Sequence, residues 1–242
     1  MKPVQLLVSV RNAAEAIAAA NGGANIVDVK DPLQGALGFA GWQIVRSIQH
    51  ALDASCILSA ALGELSEWQA TPLSKRAPSD LPELQFAKMG LAGQAAGNAT
   101  SWVADWQAAR NSLPRIKQWV AVAYSDFLQC DAPAPEQILE AAITTNCQVL
   151  LLDTFVKNGQ TSFDHLSESE LAAIVRRSHA AGIQVAIAGQ VSIANMDSLQ
   201  KVRPDIVAVR GAVCEDRDRR KAVQQNEVVQ LREALNSLSV GV

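Results

Sequence analysis

Apolar runs recur at regular intervals along the chain, and most are followed by a segment whose polar and apolar residues have helical spacing. Short runs rich in Val, Ile, Leu and Ala are typical of parallel strands that are buried on both faces. The predicted strands are 6–10, 25–30, 56–62, 84–90, 119–126, 148–154, 184–189 and 205–211. The predicted helices are 13–20, 41–52, 94–112, 135–145, 167–181, 193–202 and 223–235.

Local sequence signals support some of these helix boundaries and argue against a helix in one segment. Ser167 and Glu170 have the spacing of a capping box, which marks the start of a helix. In contrast, residues 64–82 contain three prolines and many polar residues, so this segment is predicted to be an irregular loop.

Eight strand–helix units in 242 residues predict an α/β fold, a single (β/α)8 TIM barrel that occupies residues 1–242 as one domain. No GxGxxG motif follows the first strand, and the glycines at 35, 38 and 41 have the wrong spacing for one. A doubly wound dinucleotide-binding sheet is therefore disfavoured.

Composition and charge narrow the function classes. The net charge of -3 gives no broad attraction to nucleic acid or to anionic membranes. The charge cluster at 215–221 mixes signs and is predicted to be a solvated turn without a partner. The four cysteines lie far apart, which indicates reduced thiols and neither a zinc site nor a disulfide framework. With no apolar leader before the first strand and no stretch of membrane-spanning length, a cytoplasmic protein is expected.

Charged residues occur at the predicted strand ends, where (β/α)8 barrels carry their reactive groups. Asp28 and Lys30 end the second strand two residues apart, so both can face the barrel axis. Lys88 lies in the fourth strand, Asp153 ends the sixth, and Lys157 follows in the next loop. These five residues are the predicted catalytic set.

Three lysines around one mouth have a chemical consequence. Each ammonium, together with partial burial, disfavours charging of the others, so one lysine could be a free amine that attacks a carbonyl and forms an iminium. An ordinary structural ion pair would be the better interpretation of any one lysine alone. Three lysines beside strand-end aspartates favour catalysis.

A metal-dependent aldolase is disfavoured because it would need several converging His or carboxylate ligands. His50, His165 and His179 are interpreted as surface or core residues, and no metal or cofactor is expected. Gly189 and the Arg210–Gly211 pair end the last two strands, where barrels often bind phosphate through backbone N–H groups. Glycines required only for tight turns explain these positions equally well.

Several motifs in a fixed order resemble the (5-formylfuran-3-yl)methyl phosphate synthase (4-HFC-P synthase) family, from about residue 6 to the loop after the last strand. The set comprises Gly22-Gly23-Ala24, Asp28-Val29-Lys30-Asp31-Pro32, Lys88-Met89-Gly90-Leu91-Ala92-Gly93, Leu152-Asp153-Thr154 with Lys157, and Val209-Arg210-Gly211-Ala212. The chain departs from the family in 64–82, where a more helical segment is usual, and at Gln190, where Ser is usual.

The resemblance implies a lyase that condenses two molecules of glyceraldehyde 3-phosphate into a furan aldehyde phosphate in methanofuran biosynthesis, with loss of one phosphate and two waters. It implies that Lys30 forms the Schiff base, that Lys88 accepts a proton, and that Asp28, Asp153 and Lys157 assist. A class I aldolase on sugar phosphates and a non-catalytic sugar-phosphate sensor are the alternatives. A small phosphorylated aldehyde is the expected partner, and a homo-oligomer is compatible with the sequence.

Overall fold

The structure is a computed structural model that describes residues 3–72, 76, 79–95 and 99–238. Eight strands pair in parallel in chain order, and β8 closes the sheet against β1, as in Val8 beside Val209. The strands are β1 (Gln5–Val10), β2 (Ile26–Val29), β3 (Ile57–Glu64), β4 (Leu84–Gly90), β5 (Ile116–Tyr124), β6 (Val149–Asp153), β7 (Gln184–Ile187) and β8 (Ile206–Val209). The predicted (β/α)8 barrel is confirmed.

Helices follow most strands and surround the barrel. They are α1 (Ala13–Asn21), α2 (Trp42–Ala51), α3 (Leu65–Ala70), α4 (Ala99–Asn111), α5 (Pro135–Thr144), α6 (Ser162–His165), α7 (Glu168–Ala180), α8 (Met196–Val202) and α9 (Gln225–Leu238). The capping box predicted before α7 is present, because the backbone N–H of Ser167 donates to the Glu170 carboxylate at 2.8 Å. None of the helices in the described part of the chain has both the length and the apolar character that a membrane span requires.

The segment 64–82 differs from its prediction as an irregular loop. Glu64 ends β3, and α3 follows at once, with the Glu64 N–H donating to the Glu67 carboxylate at 3.0 Å. Leu65 and Trp68 are buried one turn apart on this helix, which its polar neighbours concealed in the sequence. Pro72 follows the helix, and part of the predicted loop, 73–75 and 77–78, lies outside the described residues.

Two apolar layers result from the alternation of side chains along each strand. In β1, Leu6 and Val8 pack into the layer between the sheet and the helices, whereas Leu7 packs inside the barrel. The inner layer also contains Ile26, Val120, Val122, Leu151 and Ile206. Because this inner layer fills the lower part of the barrel, polar inward-facing residues can gather only above it.

Candidate active site

A cavity of about 560 Å³ opens above the inner apolar layer, at the end of the barrel where the strands terminate. This volume lies within the range of about 300–1,000 Å³ found for small-molecule sites. All eight residues predicted to be catalytic or phosphate-binding line it, namely Asp28, Lys30, Lys88, Asp153, Lys157, Gly189, Arg210 and Gly211. The predicted residues are therefore brought together in one place.

The first charged group of the site joins β1, β2, β3 and β4. The Asp28 carboxylate accepts hydrogen bonds from Ser9 Oγ at 3.0 Å, from Ser59 Oγ at 2.8 Å and from Lys88 Nζ. Lys88 Nζ also donates to Ser59 Oγ at 3.2 Å, and both charged side chains are buried. Strand register places Ser9 and Ser59 beside Asp28. These serines were not predicted, although hydroxyls in otherwise apolar strands are a usable signal.

The second charged group lies at the end of β6. Lys157 Nζ donates to Asp153 Oδ1 at 2.8 Å, to Thr154 Oγ1 at 3.1 Å and to the Thr154 carbonyl oxygen at 2.5 Å. Burial opposes ionisation of Asp153, but the positive charges of Lys157 and Lys30 outweigh it and lower the pKa of this carboxyl group. Asp153 is therefore a buried carboxylate that remains ionised.

Lys30 lies among these groups and differs from the other two lysines. Its side chain is buried, and its Nζ has no hydrogen-bond or ion-pair partner among the residues that the structure describes. Burial lowers the pKa of Lys30 to about 8, against the opposing attraction of Asp153, while the positive charge of Lys157 adds to the decrease. Lys30 is thus neutral in a substantial fraction of molecules at physiological pH.

The ends of β7 and β8 present unused backbone donors to the cavity. The N–H groups of Gly189, Gln190, Val191, Gly211 and Ala212 donate to no acceptor in the described ranges. Gly189 has a φ of 79°, and a Cβ at this position would collide with neighbouring side chains, so glycine is required here. These two turns form a concave set of N–H donors suited to an anion.

Gln190, the departure from the family pattern, connects two loops. Its side-chain carbonyl accepts the Gly159 N–H at 3.0 Å, and its amide donates to the Gln160 carbonyl oxygen at 2.5 Å. The side chain therefore joins the loop after β7 to the loop after β6. Its backbone N–H remains free for a ligand.

The guanidinium of Arg210 is occupied by protein groups. It is buried, and its Nη1 contacts the Glu15 carboxylate at 3.0 Å and the Ser9 carbonyl oxygen at 2.8 Å. Burial disfavours a charged Glu15, but Arg210 and Arg11 outweigh it and lower the pKa of this carboxyl group. The Arg210 side chain therefore has a structural role, and the groups that Arg210–Gly211 offers to a ligand are backbone N–H groups.

The three histidines of the chain, His50, His165 and His179, lie outside the cavity lining. His50 contacts the Arg46 carbonyl oxygen and His179 contacts Asp205, both away from the site. In the described ranges, no group of three or more His, Cys, Asp or Glu side chains is arranged to hold a metal ion.

Solved structures with the same fold come from several enzymes. The chain is similar to phosphoribosyl anthranilate isomerase from Thermus thermophilus, with a TM-score of 0.57 and 17% identity over 97% of this chain and 100% of that one. It is also similar to thiamine phosphate pyrophosphorylase from Pyrococcus furiosus, with a TM-score of 0.62 and 13% identity over 98% of this chain and 97% of that one. At such identities the likeness shows the fold alone.

Closer relatives are named (5-formylfuran-3-yl)methyl phosphate synthase. The Methanopyrus kandleri protein is 34% identical over 97% of this chain and 100% of its own length. The Methanococcus maripaludis protein is 33% identical over 93% of this chain and 95% of its own, and the Archaeoglobus fulgidus protein is 30% identical over 96% and 100%. Residues 6–232 match the family described as 4-HFC-P synthase. The chain therefore belongs to the 4-HFC-P synthase family of enzymes.

Proposed function

We propose that this enzyme condenses two molecules of glyceraldehyde 3-phosphate into (5-formylfuran-3-yl)methyl phosphate through an iminium on Lys30, as a step in the synthesis of a methanofuran-type cofactor. Membership of the 4-HFC-P synthase family supports the product. The observation that carries the mechanism is the state of Lys30. It is the buried lysine of the cavity without a partner among the described side chains, with a pKa lowered to about 8.

The lowered pKa gives Lys30 the reactivity that this step needs. At pH 7 a lysine with a pKa of about 8 is neutral in roughly a tenth of molecules, against fewer than about one in a thousand for an ordinary lysine with a pKa near 10.4. Only the neutral amine attacks an aldehyde, and loss of water then gives the iminium. Lys88 and Lys157 each already donate to a carboxylate, which disfavours them as the nucleophile.

Proton transfer is assigned to the groups around Lys30. An iminium acidifies the C–H bond next to it, and a base that removes this proton leaves an enamine, whose carbon attacks the aldehyde of the second molecule. We assign the proton transfer to the Asp28–Lys88 pair: the Asp28 carboxylate takes a proton from Lys88, and the neutral Lys88 amine then accepts the proton from carbon. Asp153 and Lys157 balance charge and can move protons in the later eliminations.

The overall conversion balances without an oxidant or reductant. Two triose phosphates give one furan aldehyde phosphate, one inorganic phosphate and two waters, and the water lost on iminium formation returns when the product leaves Lys30. The N–H groups after β7 and β8 provide a site for one substrate phosphate.

The test combines product analysis with chemical trapping. Purified protein is incubated with glyceraldehyde 3-phosphate, the furan is followed by ultraviolet absorbance and mass spectrometry, and borohydride is added to reduce any iminium. We expect the furan and a reduced adduct on the peptide that contains Lys30, and we expect Lys30→Met to lose both. Lys201→Met, at an exposed position on α8, is the matched control and should behave as wild type.

The alternatives give different results in the same experiment. An open-chain sugar phosphate with an adduct at Lys30 would show a class I aldolase, and unchanged substrate without an adduct would indicate a sensor. Lys30→Met should raise the free energy of unfolding, because it removes a buried amine with a lowered pKa, and urea unfolding of the variant therefore shows whether lost activity reflects lost chemistry or a lost fold. From a folded pKa of about 8, the expected gain at pH 7 is about 3 kcal/mol, which disappears as the pH rises above about 10.

A further inference from the structure

A charged loop follows β8 and borders the cavity. It occupies residues 211–224 and contains a short 3-10 turn at Glu215–Arg217. Arg217 and Arg219 of this loop line the cavity. From the sequence the cluster at 215–221 was expected to be a solvated turn without a partner, so its place beside the reactive groups calls for a different interpretation.

Contacts with the rest of the protein fix the backbone of this loop. The buried Arg210 side chain donates from Nε to the Arg219 carbonyl oxygen at 2.6 Å and from Nη2 to the Lys221 carbonyl oxygen at 3.1 Å. Cys214 and Val223 pair in an antiparallel bridge at the base of the loop. The backbone that carries Arg219 is therefore fixed before any ligand arrives.

The carboxylates of the loop are already paired with other cations. Lys221 Nζ lies 2.5 Å from the Asp216 carboxylate and 3.5 Å from that of Glu215. Arg220 contacts the Asp218 carboxylate at 2.8 Å. These pairs account for all three acidic side chains of the loop, and none of them involves the two cavity-lining arginines.

Arg217 and Arg219 therefore have no carboxylate within ion-pair distance in the described part of the chain. Arg219 is partly buried, which lowers its pKa, and its side chain makes one hydrogen bond, from Nη2 to the Gly35 carbonyl oxygen at 3.1 Å. Placing a guanidinium in a partly buried position without a counter-ion costs free energy, which an anionic ligand would offset.

The Arg219 guanidinium lies apart from the turn after β7. Arg219 leaves the loop near Gly211 and reaches the carbonyl of Gly35, which belongs to the loop after β2. It therefore extends toward the strand end that carries Lys30, and its positive charge acts on that lysine. The unused N–H group of Gly189 lies on the other side, at the end of β7.

We propose that Arg217 and Arg219 form a second phosphate subsite, which binds the phosphate monoester of the second aldehyde substrate. The inference rests on the proposed function, because a condensation of two triose phosphates brings two phosphates into one cavity. The N–H groups after β7 and β8 hold one of them, and the two guanidiniums hold the other. Arginine suits this task since its planar group can donate two parallel hydrogen bonds to phosphate oxygens.

The first experiment measures binding and does not depend on turnover. Equilibrium dialysis against labelled inorganic phosphate should show two phosphates bound per wild-type chain and one per chain of the Arg217→Gln, Arg219→Gln double variant. Arg177→Gln, an exposed arginine of α7 that is paired with Glu140 and lies outside the cavity lining, is the matched control and should bind two. Equal binding by wild type and the double variant would overturn the subsite.

The second experiment separates the two substrates. In Arg219→Gln the glyceraldehyde 3-phosphate concentration for half-maximal furan formation should rise at least about tenfold, the loss expected for one charge-assisted contact. At a pH high enough for Lys30 to be neutral in both proteins, the concentration for half-maximal borohydride trapping at Lys30 should stay unchanged, because the phosphate of the first substrate is held elsewhere. Equal increases in both would assign Arg219 to the first substrate and refute the proposal.

The two experiments also distinguish this inference from the proposed function. A wild-type protein that binds two phosphates but makes no furan would refute the proposed function and leave the second subsite in place. A protein that makes furan while its arginine variants match wild type in dialysis and kinetics would refute the subsite alone. The variants should fold, because the loop uses the backbone and not the side chain of Arg219 for its contact with Arg210.

Discussion

The two carboxylate–lysine pairs of the site differ in how firmly the protein holds them. Asp28 and Lys88 both belong to strands, and their side chains are 1% and 4% exposed. Asp153 ends a strand, but Lys157 lies in the loop after it and is 15% exposed. The first pair is fixed before substrate arrives, whereas the second can follow its loop. The same two functional groups can therefore serve as a fixed proton relay and as an adjustable counter-charge.

Breaking the fixed pair should have the larger effect on catalysis. We expect Lys88→Met to lower kcat by about 10²–10⁴, the usual contribution of a positioned acid or base, because the proton next to the iminium then has no acceptor. The borohydride-trapped adduct at Lys30 should still form. A variant that turns over at the wild-type rate, or that forms no adduct, would contradict this assignment of roles.

Removing the lysine of the Asp28–Lys88 pair should also destabilise the protein more than removing the lysine of the Asp153–Lys157 pair. Lys88→Ala leaves the Asp28 carboxylate buried without its hydrogen-bonded counter-charge and should reduce the free energy of unfolding by about 3 kcal/mol or more. Lys157→Ala should reduce it by less, about 1–2 kcal/mol, because the positive charge of Lys30 and the Thr154 N–H still stabilise the buried Asp153 carboxylate. Urea unfolding at pH 7 measures both values, and equal losses would remove the proposed distinction.

The adjustable pair should be visible in the pH dependence. Since only the neutral amine of Lys30 reacts, kcat/KM should rise with pH and level off above about 8. Lys157 lowers the pKa of Lys30, so Lys157→Met should move the rising part of the pH profile, which we call its limb, to higher pH. Asp153 raises the pKa of Lys30, so Asp153→Asn should move this limb to lower pH. Shifts in the opposite directions would show that another group controls the limb.

The smallest effect on catalysis is expected from Gln190, whose side chain joins the loops after β6 and β7. Gln190→Ser restores the residue usual in the family and removes the contacts with the loop at Gly159 and Gln160. Exposed hydrogen bonds are worth about 0.5 kcal/mol each, or about 1 kcal/mol for the two, so KM should change only severalfold and kcat should remain close to wild type. A large loss of kcat would mean that this loop takes part in the chemistry.

The barrel and its five charged residues could be predicted from the sequence because both follow from local patterns. Buried parallel strands appear as apolar runs, and a charge at the end of such a run has to face the cavity. The helix α3 was missed because three prolines and polar residues concealed the buried pair Leu65 and Trp68. In this segment the burial of two apolar side chains against the rest of the protein outweighed the local composition.

Contacts between distant segments could not be predicted in this way. Ser9 and Ser59 contribute hydroxyls to Asp28 only because strand register aligns them. The charge pattern of 215–221 indicated a solvated turn, and only the three-dimensional pairing shows which of its cations lack a carboxylate. The difference between Lys30 and the other lysines likewise depends on neighbours from β3 and β6.

The buried pair between Glu15 and Arg210 has a consequence for the order in which the protein folds. It joins the first helix to the end of the last strand across 195 positions, so it forms only when β8 closes the barrel. Contacts of such long sequence separation form late, because the entropy of closing the loop has to be overcome first. Until then Lys30 is an ordinary solvated lysine. The Lys30 amine therefore acquires its lowered pKa only when its cavity is complete.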